Sequence, residues 1–359
     1  MPYLTSPDAL AALLPGEPAY RVRQLRDWLY RTPVLGPAAM TNLPAALRAR
    51  LEPLWPFTVE AEQTDDRGRT LKWLLRSGDG ASYEAVLMAY PRRTTLCLSS
   101  QAGCAMGCTF CATGQFGFER HLEAGEMVAQ AAYAAAWLRA HPLPGGPGRL
   151  GNLVFMGMGE PLANYQNLRE ALRRLVEEMG VSGRAITVST VGVVPGMRRL
   201  AEEPWPVTLA LSLHGADDET RRALVPLDRR YPIDELISAA RHYVEQKGRR
   251  LTLEWTLIEG VNDTPEQARG LASIAAELGA HANVIPLNPT PLSRYRAPSP
   301  QAVAAFVEAA RRAGANVTQR DTRGRGIDAA CGQLRTRHAE RAGGAHPGRP
   351  APLSGRHSG

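Results

Sequence analysis

The chain has 359 residues, of which 44% are hydrophobic and 21% charged, and this composition excludes an intrinsically disordered or fibrous protein. The length predicts one large core with a small accessory domain. The net charge of +7 favours a polyanionic partner such as RNA. A bias toward arginine weakens that argument, because only Lys72 and Lys247 among 42 basic residues are lysines.

The amino-terminal residues carry no basic segment followed by an apolar run, so we expect no secretory signal. No apolar stretch approaches the roughly 18 residues of a membrane-spanning helix. We therefore expect a cytoplasmic protein without a membrane partner. In that compartment thiols stay reduced, and clustered cysteines are usually metal ligands or catalysts.

The first predicted elements form a small basic helical module. The spacing of Val22, Leu25, Trp28 and Leu29 predicts one helix, and a second helix follows near residues 44–51. Four arginines surround the apolar seam of the first helix, namely Arg21, Arg23, Arg26 and Arg31. They can contact RNA, although a solvated helix face is the simpler explanation.

Two alternating segments, residues 70–76 and 82–90, predict strands joined by the turn-like sequence SGDG. We expect this pair to connect the module to the core. The predicted domains are an RNA-contacting accessory domain with connecting strands over residues 1–80, a core over 81–337 and a disordered tail over 338–359. The tail is rich in Gly, Pro, Arg and Ser.

From about residue 94 the pattern becomes a repetition of strand, turn and helix. The predicted strands are residues 95–99, 152–156, 185–190, 207–213, 250–258, 282–287 and 316–320. Amphipathic helical stretches lie between them, over residues 123–140, 165–179, 233–247, 265–278 and 300–313. This alternation predicts an α/β fold whose parallel sheet forms a barrel or partial barrel.

Three cysteines, Cys104, Cys108 and Cys111, lie within eight residues directly after the first of these strands. Three thiolates on one loop indicate a shared inorganic ligand. A four-iron cluster is normally held by four thiolates, so a CxxxCxxC loop without a fourth partner leaves one iron open to another ligand. The alternative is a structural zinc site that Cys97 or His121 completes.

Other unusual residues stand at the carboxyl ends of the strands, where parallel α/β folds gather their active sites. They are Gly159 and Glu160 in MGMGEP, Ser189 in STVG, Ser212, Leu213 and His214 in SLH, Glu254, and Asn288 in PLNP. An open iron can chelate the amino and carboxylate groups of S-adenosylmethionine. The glycines let the backbone approach this ligand, and Glu160 can accept from its ammonium group. Ser189, Ser212 and Asn288 are the expected partners of its ribose and carboxylate.

Each of these residues also has a structural explanation. Glu160 can simply begin a helix, and His214 can be a buried imidazole with satisfied hydrogen bonds. Together, however, the strand-end residues predict one binding mouth beside the cysteine loop.

The motifs resemble those of the RlmN/Cfr family of radical S-adenosylmethionine (SAM) RNA adenine methyltransferases. The resemblance rests on TTLCLSSQAGCAMGCTFCATG, GEPLANY, ITVSTVGVVPG, LALSLHGADDETR, VNDT and TRGRGIDAACGQL, in this order, and covers roughly residues 18–337. It implies a partial (β/α)6-type radical SAM barrel with a [4Fe-4S] cluster and S-adenosyl-L-methionine as cofactors.

The resemblance also implies a two-stage methyl transfer. Cys331 takes a methyl group from one SAM molecule, and a second SAM gives the radical that removes a hydrogen from this S-methyl group. The methylene radical adds to an electron-poor carbon of adenine and joins protein and RNA covalently. Cys97 then attacks the Cys331 sulfur, forms a disulfide and releases the methylated base. Glu84 matches the residue assigned as proton acceptor.

The sequence around Cys331 supports a catalytic thiol. Residues 323–326, RGRG, predict a flexible basic loop, and nearby arginines favour a thiolate. Asp321 and Asp328 supply polar partners. The family often has an acidic residue after the RG of this loop, where Arg325 and Gly326 stand here, so the loop contacts differ from the family pattern.

By resemblance, the substrates are an adenine of 23S rRNA at the peptidyl transferase centre and an adenine beside the anticodon of certain tRNAs, both methylated at carbon 2. The antibiotic-resistance branch of the family methylates carbon 8 of the ribosomal adenine, and the motifs do not separate the two branches. We also expect an external electron donor and a monomer. Alternatives from other classes are a non-catalytic, zinc-stabilised RNA-binding protein and a thiol oxidoreductase that uses Cys97 and Cys331.

Overall fold

The computed structural model of the protein describes residues 1–115, 117–288 and 293–320. In these ranges the strands are β1 (Phe57–Asp65), β2 (Thr70–Ser77), β3 (Ser82–Tyr90), β4 (Arg93–Cys97), β5 (Gln101–Gly103), β6 (Phe118–His121), β7 (Leu150–Phe155), β8 (Ile186–Thr190), β9 (Thr208–Ser212), β10 (Thr252–Leu257), β11 (His281–Pro286) and β12 (Asn316–Gln319). The α-helices are α1 (Ala19–Arg26), α2 (Ala45–Arg50), α3 (Ala112–Gln115), α4 (Ala124–Ala140), α5 (Tyr165–Arg173), α6 (Val194–Glu202), α7 (Asp218–Leu224), α8 (Ile233–Lys247), α9 (Pro265–Glu277) and α10 (Pro300–Arg312).

One sheet contains ten of these strands, in the order β1-β2-β3-β4-β7-β8-β9-β10-β11-β12. From β4 to β12 all neighbours in this order are parallel. At the other edge, β1, β2 and β3 extend the sheet with antiparallel pairs. No ladder joins the two edge strands within the described residues. The predicted α/β class is confirmed, and the parallel strands curve into an open, partial barrel.

Every strand predicted from residue 94 onward is present close to its predicted position, as are the predicted helices. The sequence did not reveal β1, the β5–β6 hairpin, α3, α6 or α7. Both faces of β1 are largely solvated, which removes the alternating pattern. Helices α6 and α7 have only nine and seven residues, too few for a clear helical period. Among the described helices, none has the length and apolar character needed to cross a bilayer.

Capping residues set where several of the helices begin and end. The side chains of Asp217, Thr264 and Ser299 accept from backbone N–H groups in the first turns of α7, α9 and α10. Helix α8 ends at Gly248, whose φ of 59° is the left-handed conformation typical of a helix terminus.

Helix α4 packs between the sheet and the amino-terminal residues. A Cβ atom on Gly125 would stand only 2.2 Å from the carbonyl oxygen of Tyr3, so only glycine permits this approach. At the other end of the helix, Arg139 donates to the Pro33 carbonyl at 2.7 Å. The alanine-rich sequence of α4 suits this close packing, and one hydrophobic core runs from Tyr3 to Val317.

The amino-terminal module places its predicted apolar seam inward, because Leu25 and Leu29 are fully buried. Three of its four predicted RNA-contacting arginines contact protein groups, and the first of them, Arg21, donates to the Gln24 side chain at 2.8 Å. Arg26 forms a bidentate ion pair with Glu178, and Arg31 donates to the Glu177 carbonyl at 2.9 Å. The contacts of Arg26 and Arg31 fasten the module to the segment after α5, and the predicted RNA contact stays a prediction.

The predicted division of the chain at residues 80 and 81 coincides with the turn between β2 and β3. The predicted separate roles of the accessory domain and the core stay predictions. The RGRG loop, Cys331 and the predicted tail lie outside the described residues.

Candidate active site

A cavity of about 410 Å³ lies inside the curved sheet, around the carboxyl ends of its parallel strands. Of the thirteen residues predicted for the site, nine line this cavity, namely Cys97, Cys108, Cys111, Gly159, Glu160, Ser189, Ser212, His214 and Asn288. Cys104 is half-buried in the loop beside it, whereas Leu213 and Glu84 are buried outside the lining. Cys331 lies outside the described residues. The fold thus brings together residues from widely separated parts of the chain.

The cysteine loop is held by backbone contacts on both sides. The Cys104 N–H donates to the Gly117 carbonyl at 2.8 Å, where the loop meets the β5–β6 hairpin. The Cys111 N–H donates to the Cys108 carbonyl at 3.1 Å, and α3 begins directly afterwards. Thr109 donates from its N–H to the Leu224 carbonyl at 3.0 Å, which ties the loop to the end of α7. These bonds fix the three cysteines on one short, ordered loop.

Burial raises the pKa of the Cys104 thiol to about 12 and raises the pKa of Cys108 well above its usual value. Repulsion from the neighbouring thiolates raises both pKa values further, and Arg221 opposes this shift at Cys108.

The loop supplies a donor set of three soft thiols, which suits an iron–sulfur cluster. Ligation to iron would also offset the electrostatic cost of three adjacent thiolates. Within the described residues, no three His, Cys, Asp or Glu side chains are already grouped as ligands of one metal ion. Of the alternative zinc ligands, His121 has its Nδ1 3.0 Å from Nε2 of Gln101, and Cys97 faces the cavity from β4.

The glycines of MGMGEP serve packing against the protein. A Cβ atom on Gly157 would stand 2.6 Å from the Leu98 carbonyl oxygen, and one on Gly159 would stand 2.5 Å from Cβ of Gln101. Gly159 also has a φ of 101°, which side chains rarely tolerate. The predicted close approach of backbone is therefore present, but its partner is the segment after β4.

Glu160 combines a structural role with a place in the cavity wall. It is 2% exposed, its Oε1 accepts from the Leu162 N–H at 3.0 Å, and its Oε2 accepts from the Val191 N–H at 2.9 Å. It thereby begins the short 3-10 helix Pro161–Asn164, as the structural explanation expected. Burial raises the pKa of Glu160 to about 7. The Thr190 side chain also donates to this carboxylate, whose remaining lone pair can accept from a further donor in the cavity.

The strand-end residues of the paired strands β8 and β9 lie side by side in the cavity wall. Ser189 and Ser212 place their hydroxyl oxygens 3.5 Å apart. His214 is buried with a φ of 60°, and its Nδ1 accepts from the Thr256 N–H at 3.0 Å. Burial and the Arg221 charge lower the pKa of His214 to about 3, so the ring is neutral and Nε2 carries the proton.

Arg221 is a site residue that sequence reasoning missed. Its guanidinium is 1% exposed and donates to the carbonyl groups of Val191, Ser212 and Leu213, which end β8 and β9. The same group lies 3.3 Å from the buried carboxylate of Asp228. Leu213 thus contributes a backbone anchor and no cavity surface. The only available signal was the position of this arginine at the end of LALSLHGADDETR.

The next strand, β10, carries a second carboxylate beside Ser212 in the cavity wall. Glu254 on β10 lines the cavity and accepts from the Asn283 amide at 2.9 Å, and its other oxygen lies 3.4 Å from Arg320. Since both oxygens have protein partners, the observed contacts give Glu254 a role in holding β10, β11 and β12 together.

A third group of polar residues lies on β2, β3 and β4. Lys72 pairs with Val86 across β2 and β3, and Val86 pairs with Cys97 across β3 and β4. Paired residues share a face of the sheet, and all three line the cavity. Glu84, two residues before Val86, is on the same face and lies 2.8 Å from the Lys72 ammonium.

The partial barrel, the cysteine loop after its first parallel strand and the cavity at the strand ends define an enzyme of the radical SAM class. The sequence model of the Radical SAM superfamily matches residues 98–272. A crystal structure of a radical SAM methyltransferase from Sphaerobacter thermophilus is 47% identical, with a TM-score of 0.86 over 92% of this chain and 98% of that one.

Proteins that match nearly the whole chain show which family it belongs to. A Parafrankia sp. protein is 50% identical over 333 residues, which cover 89% of this chain and 86% of its own. A Frankia alni protein is 51% identical over 336 residues, covering 91% and 80%. Both carry the name "Probable dual-specificity RNA methyltransferase RlmN". The chain therefore belongs to the RlmN family, and the protein is a methyltransferase.

Proposed function

We propose that the protein methylates carbon 2 of adenine in RNA, with a [4Fe-4S] cluster and S-adenosyl-L-methionine as cofactors. The proposed substrates are the adenine of 23S rRNA at the peptidyl transferase centre and the adenine next to the anticodon of tRNA. Two findings support RNA as the substrate: relatives about 50% identical bear a dual-specificity RNA methyltransferase name, and the net charge is +7. An external electron donor, a monomeric state and a cytoplasmic location belong to the same proposal, as does RNA contact by residues 1–80.

One observation carries this proposal. A single cavity is lined both by Cys108 and Cys111 of the cysteine loop and by Cys97 of the neighbouring strand. A plain cluster protein has no need of a separate thiol in the same chamber. A two-cysteine methyl transfer does, because the step that releases the product must occur where the methylene group is delivered.

Residues of the cavity wall suit the two cofactors. Cys104, Cys108 and Cys111 would hold the cluster. Glu160 would accept from the SAM ammonium group with its remaining lone pair, and the Ser189 and Ser212 hydroxyls would bind its polar groups. Gly159 shapes this wall, Leu213 anchors it, and His214 and Asn288 complete it. When bound, the cofactors supply the methyl group and a radical that abstracts hydrogen.

The chain's own residues then divide the work. Cys331 carries the methyl group on its sulfur and becomes joined to the adenine carbon through the methylene group. Cys97 attacks the Cys331 sulfur as a thiolate. A sulfur–sulfur bond forms, the carbon–sulfur bond breaks, and its electron pair passes to the methylene carbon, which takes up a proton to become methyl. Glu84 takes the proton that the ring carbon loses, and the unpaired electron left on the ring by radical addition passes to a one-electron acceptor. The adenine must leave its stack to enter a chamber of this size.

The test uses a Cys97→Ala variant under anaerobic conditions with substrate RNA. We expect RNA to accumulate in covalent linkage to Cys331, because the attacking thiol is absent. A Cys331→Ala variant should form no linkage at all. Free RNA product from Cys97→Ala at the wild-type rate would refute the proposed release step.

The position of the methyl group is tested separately. Mass spectrometry of nucleosides from 23S rRNA and tRNA, isolated from a deletion strain and from the complemented strain, should show 2-methyladenosine only after complementation. Methylation at carbon 8 would assign the protein to the other branch. A protein that binds RNA without any methylation and carries one zinc ion would refute catalysis.

A further inference from the structure

The Lys72 side chain occupies an unusual position for a lysine. The Lys72–Glu84 ion pair has its nitrogen and oxygen 2.8 Å apart, and the two side chains are only 0% and 2% exposed. Taking two charges out of water is expensive, and a buried pair of this kind is weak evidence for a purely stabilising role.

Of the two partners of this ion pair, Lys72 is the one that contacts the active-site cavity. Lys72 is among the described residues that line the cavity, whereas Glu84 is not among them. Cys97 and Lys72 are both direct cross-strand partners of Val86, so the amine and the thiol lie on the same face two strands apart. A proton removed in the chamber therefore meets Lys72 before it meets Glu84.

The composition of the chain argues for an amine at this position. All but two of the 42 basic residues are arginines, so a lysine at a fully buried site is not explained by composition. Arginine would provide the same charge and a better fork for a carboxylate. It cannot be deprotonated in a protein, whereas a buried lysine can.

We propose that Lys72 is a catalytic residue of the methyl transfer, a proton relay between the substrate carbon and Glu84. The inference rests on the proposed function. Nζ first passes one proton to Glu84 Oε2, which gives a neutral amine and a neutral carboxylic acid. The amine lone pair then accepts the proton of the ring carbon while that carbon is still joined to Cys331 through the methylene group. The C–H electron pair returns to the ring, and resolution of the adduct by Cys97 follows. Nζ is again an ammonium and Glu84 holds the net proton until product leaves. The unpaired electron that radical addition leaves on the ring passes to a one-electron acceptor, for which an iron–sulfur centre is suited.

The decisive variant is Lys72→Arg, which keeps the charge and the ion pair but cannot give up its proton. With labelled substrate RNA under anaerobic conditions, we expect it to form the protein–RNA adduct as the wild type does. Resolution of that adduct, followed on a denaturing gel, should be slowed roughly 10²-fold or more, the usual contribution of general acid–base catalysis. The matched control is Lys247→Arg at the other lysine, which should resolve the adduct at the wild-type rate.

A purely structural ion pair predicts wild-type resolution by Lys72→Arg, and that result overturns the relay. Absence of any adduct from this variant also overturns it, because Lys72 would then act before the proton step. If Lys72→Arg does not fold, the double variant Lys72→Met with Glu84→Gln removes both buried charges together, which proteins usually tolerate. It should show the same slow resolution, and wild-type resolution by this variant again overturns the relay.

The Cys97→Ala variant separates this inference from the proposed function. It must accumulate adduct in the same experiment if the two-cysteine mechanism operates. Failure of Cys97→Ala to do so refutes the proposed function itself, whereas accumulation by Cys97→Ala with normal turnover by Lys72→Arg refutes the relay alone.

Discussion

Replacing Arg221 with methionine should destabilise the metal-free protein strongly, although the residue lies on the surface helix α7. Its guanidinium is 1% exposed and donates to three backbone carbonyl groups at the ends of β8 and β9. Methionine fills a similar volume but donates no hydrogen bond. The variant therefore loses the polar contacts and leaves the fully buried Asp228 without its buried partner.

The expected loss is about 3 kcal/mol. Removing one member of a buried ion pair typically costs about 3–5 kcal/mol, since the other charge stays buried. The lower end applies here, because Arg222 also lies 3.3 Å from Asp228 and is 45% exposed, so it can partly screen the carboxylate. The three lost carbonyl contacts are not added separately, because effects at adjoining groups are not additive.

Urea unfolding of metal-free protein, followed by tryptophan fluorescence, measures this loss. Arg222→Met is the matched control and should cost less than about 1 kcal/mol, as expected for a half-exposed ion pair. The double variant Arg221→Met with Asp228→Asn should recover part of the loss, because it removes the orphaned charge. A single variant within about 1 kcal/mol of the wild type, or a double variant no more stable than the single one, would show that Asp228 does not carry the penalty.

Three further predictions concern the cavity wall. Burial raises the pKa of Glu160 to about 7 from 4.5, so the folded protein holds this proton more tightly than the unfolded chain. The free energy of unfolding should therefore fall by about 3 kcal/mol as pH rises from about 4.5 to 7. Glu160→Gln should remove this pH dependence in urea titrations, and an unchanged dependence would contradict the prediction. Gly159→Ala should unfold at a lower temperature than Gly260→Ala in calorimetry. Both glycines have a positive φ, but only at Gly159 would the added Cβ meet a neighbouring atom, at 2.5 Å. Equal decreases in unfolding temperature would show that the loop around Gly159 can move to accommodate the methyl group. After anaerobic reconstitution, the Cys97→Ala protein should contain as much iron and sulfide as the wild type, whereas the Cys108→Ala protein should contain less. A lower iron content in the Cys97→Ala protein would indicate that Cys97 is a cluster ligand.

The sequence predicted most of the regular structure and most of the cavity residues. The parallel strands β4 and β7 to β12 were readable because buried parallel strands are short apolar runs separated by amphipathic helices. The strand-end motifs were readable as a site because parallel strands bring their carboxyl ends to one edge. Helix α7 was missed, and Arg221 with it, because seven residues show little periodicity.

The interpretation of individual residues was harder than their location. Gly157 and Gly159 were expected to admit a ligand, but their neighbours are Leu98 and Gln101 of the protein itself. Arg26 was a candidate for RNA contact, but it pairs with Glu178, which is 152 residues away in the chain. A sequence shows that a residue type is unusual at a position, and it does not show which distant group comes to meet it.

By itself, the sequence determined the three-cysteine loop and the strand-and-helix rhythm that follows it. Both depend on spacing between near neighbours, which the order of residues fixes directly. Only the tertiary structure decided that Lys72, Glu84 and Cys97 share one face beside that loop, and that Arg221 ties β8 to β9. Those placements follow from the register of strand pairs and from burial, which arise when segments far apart in the chain pack together.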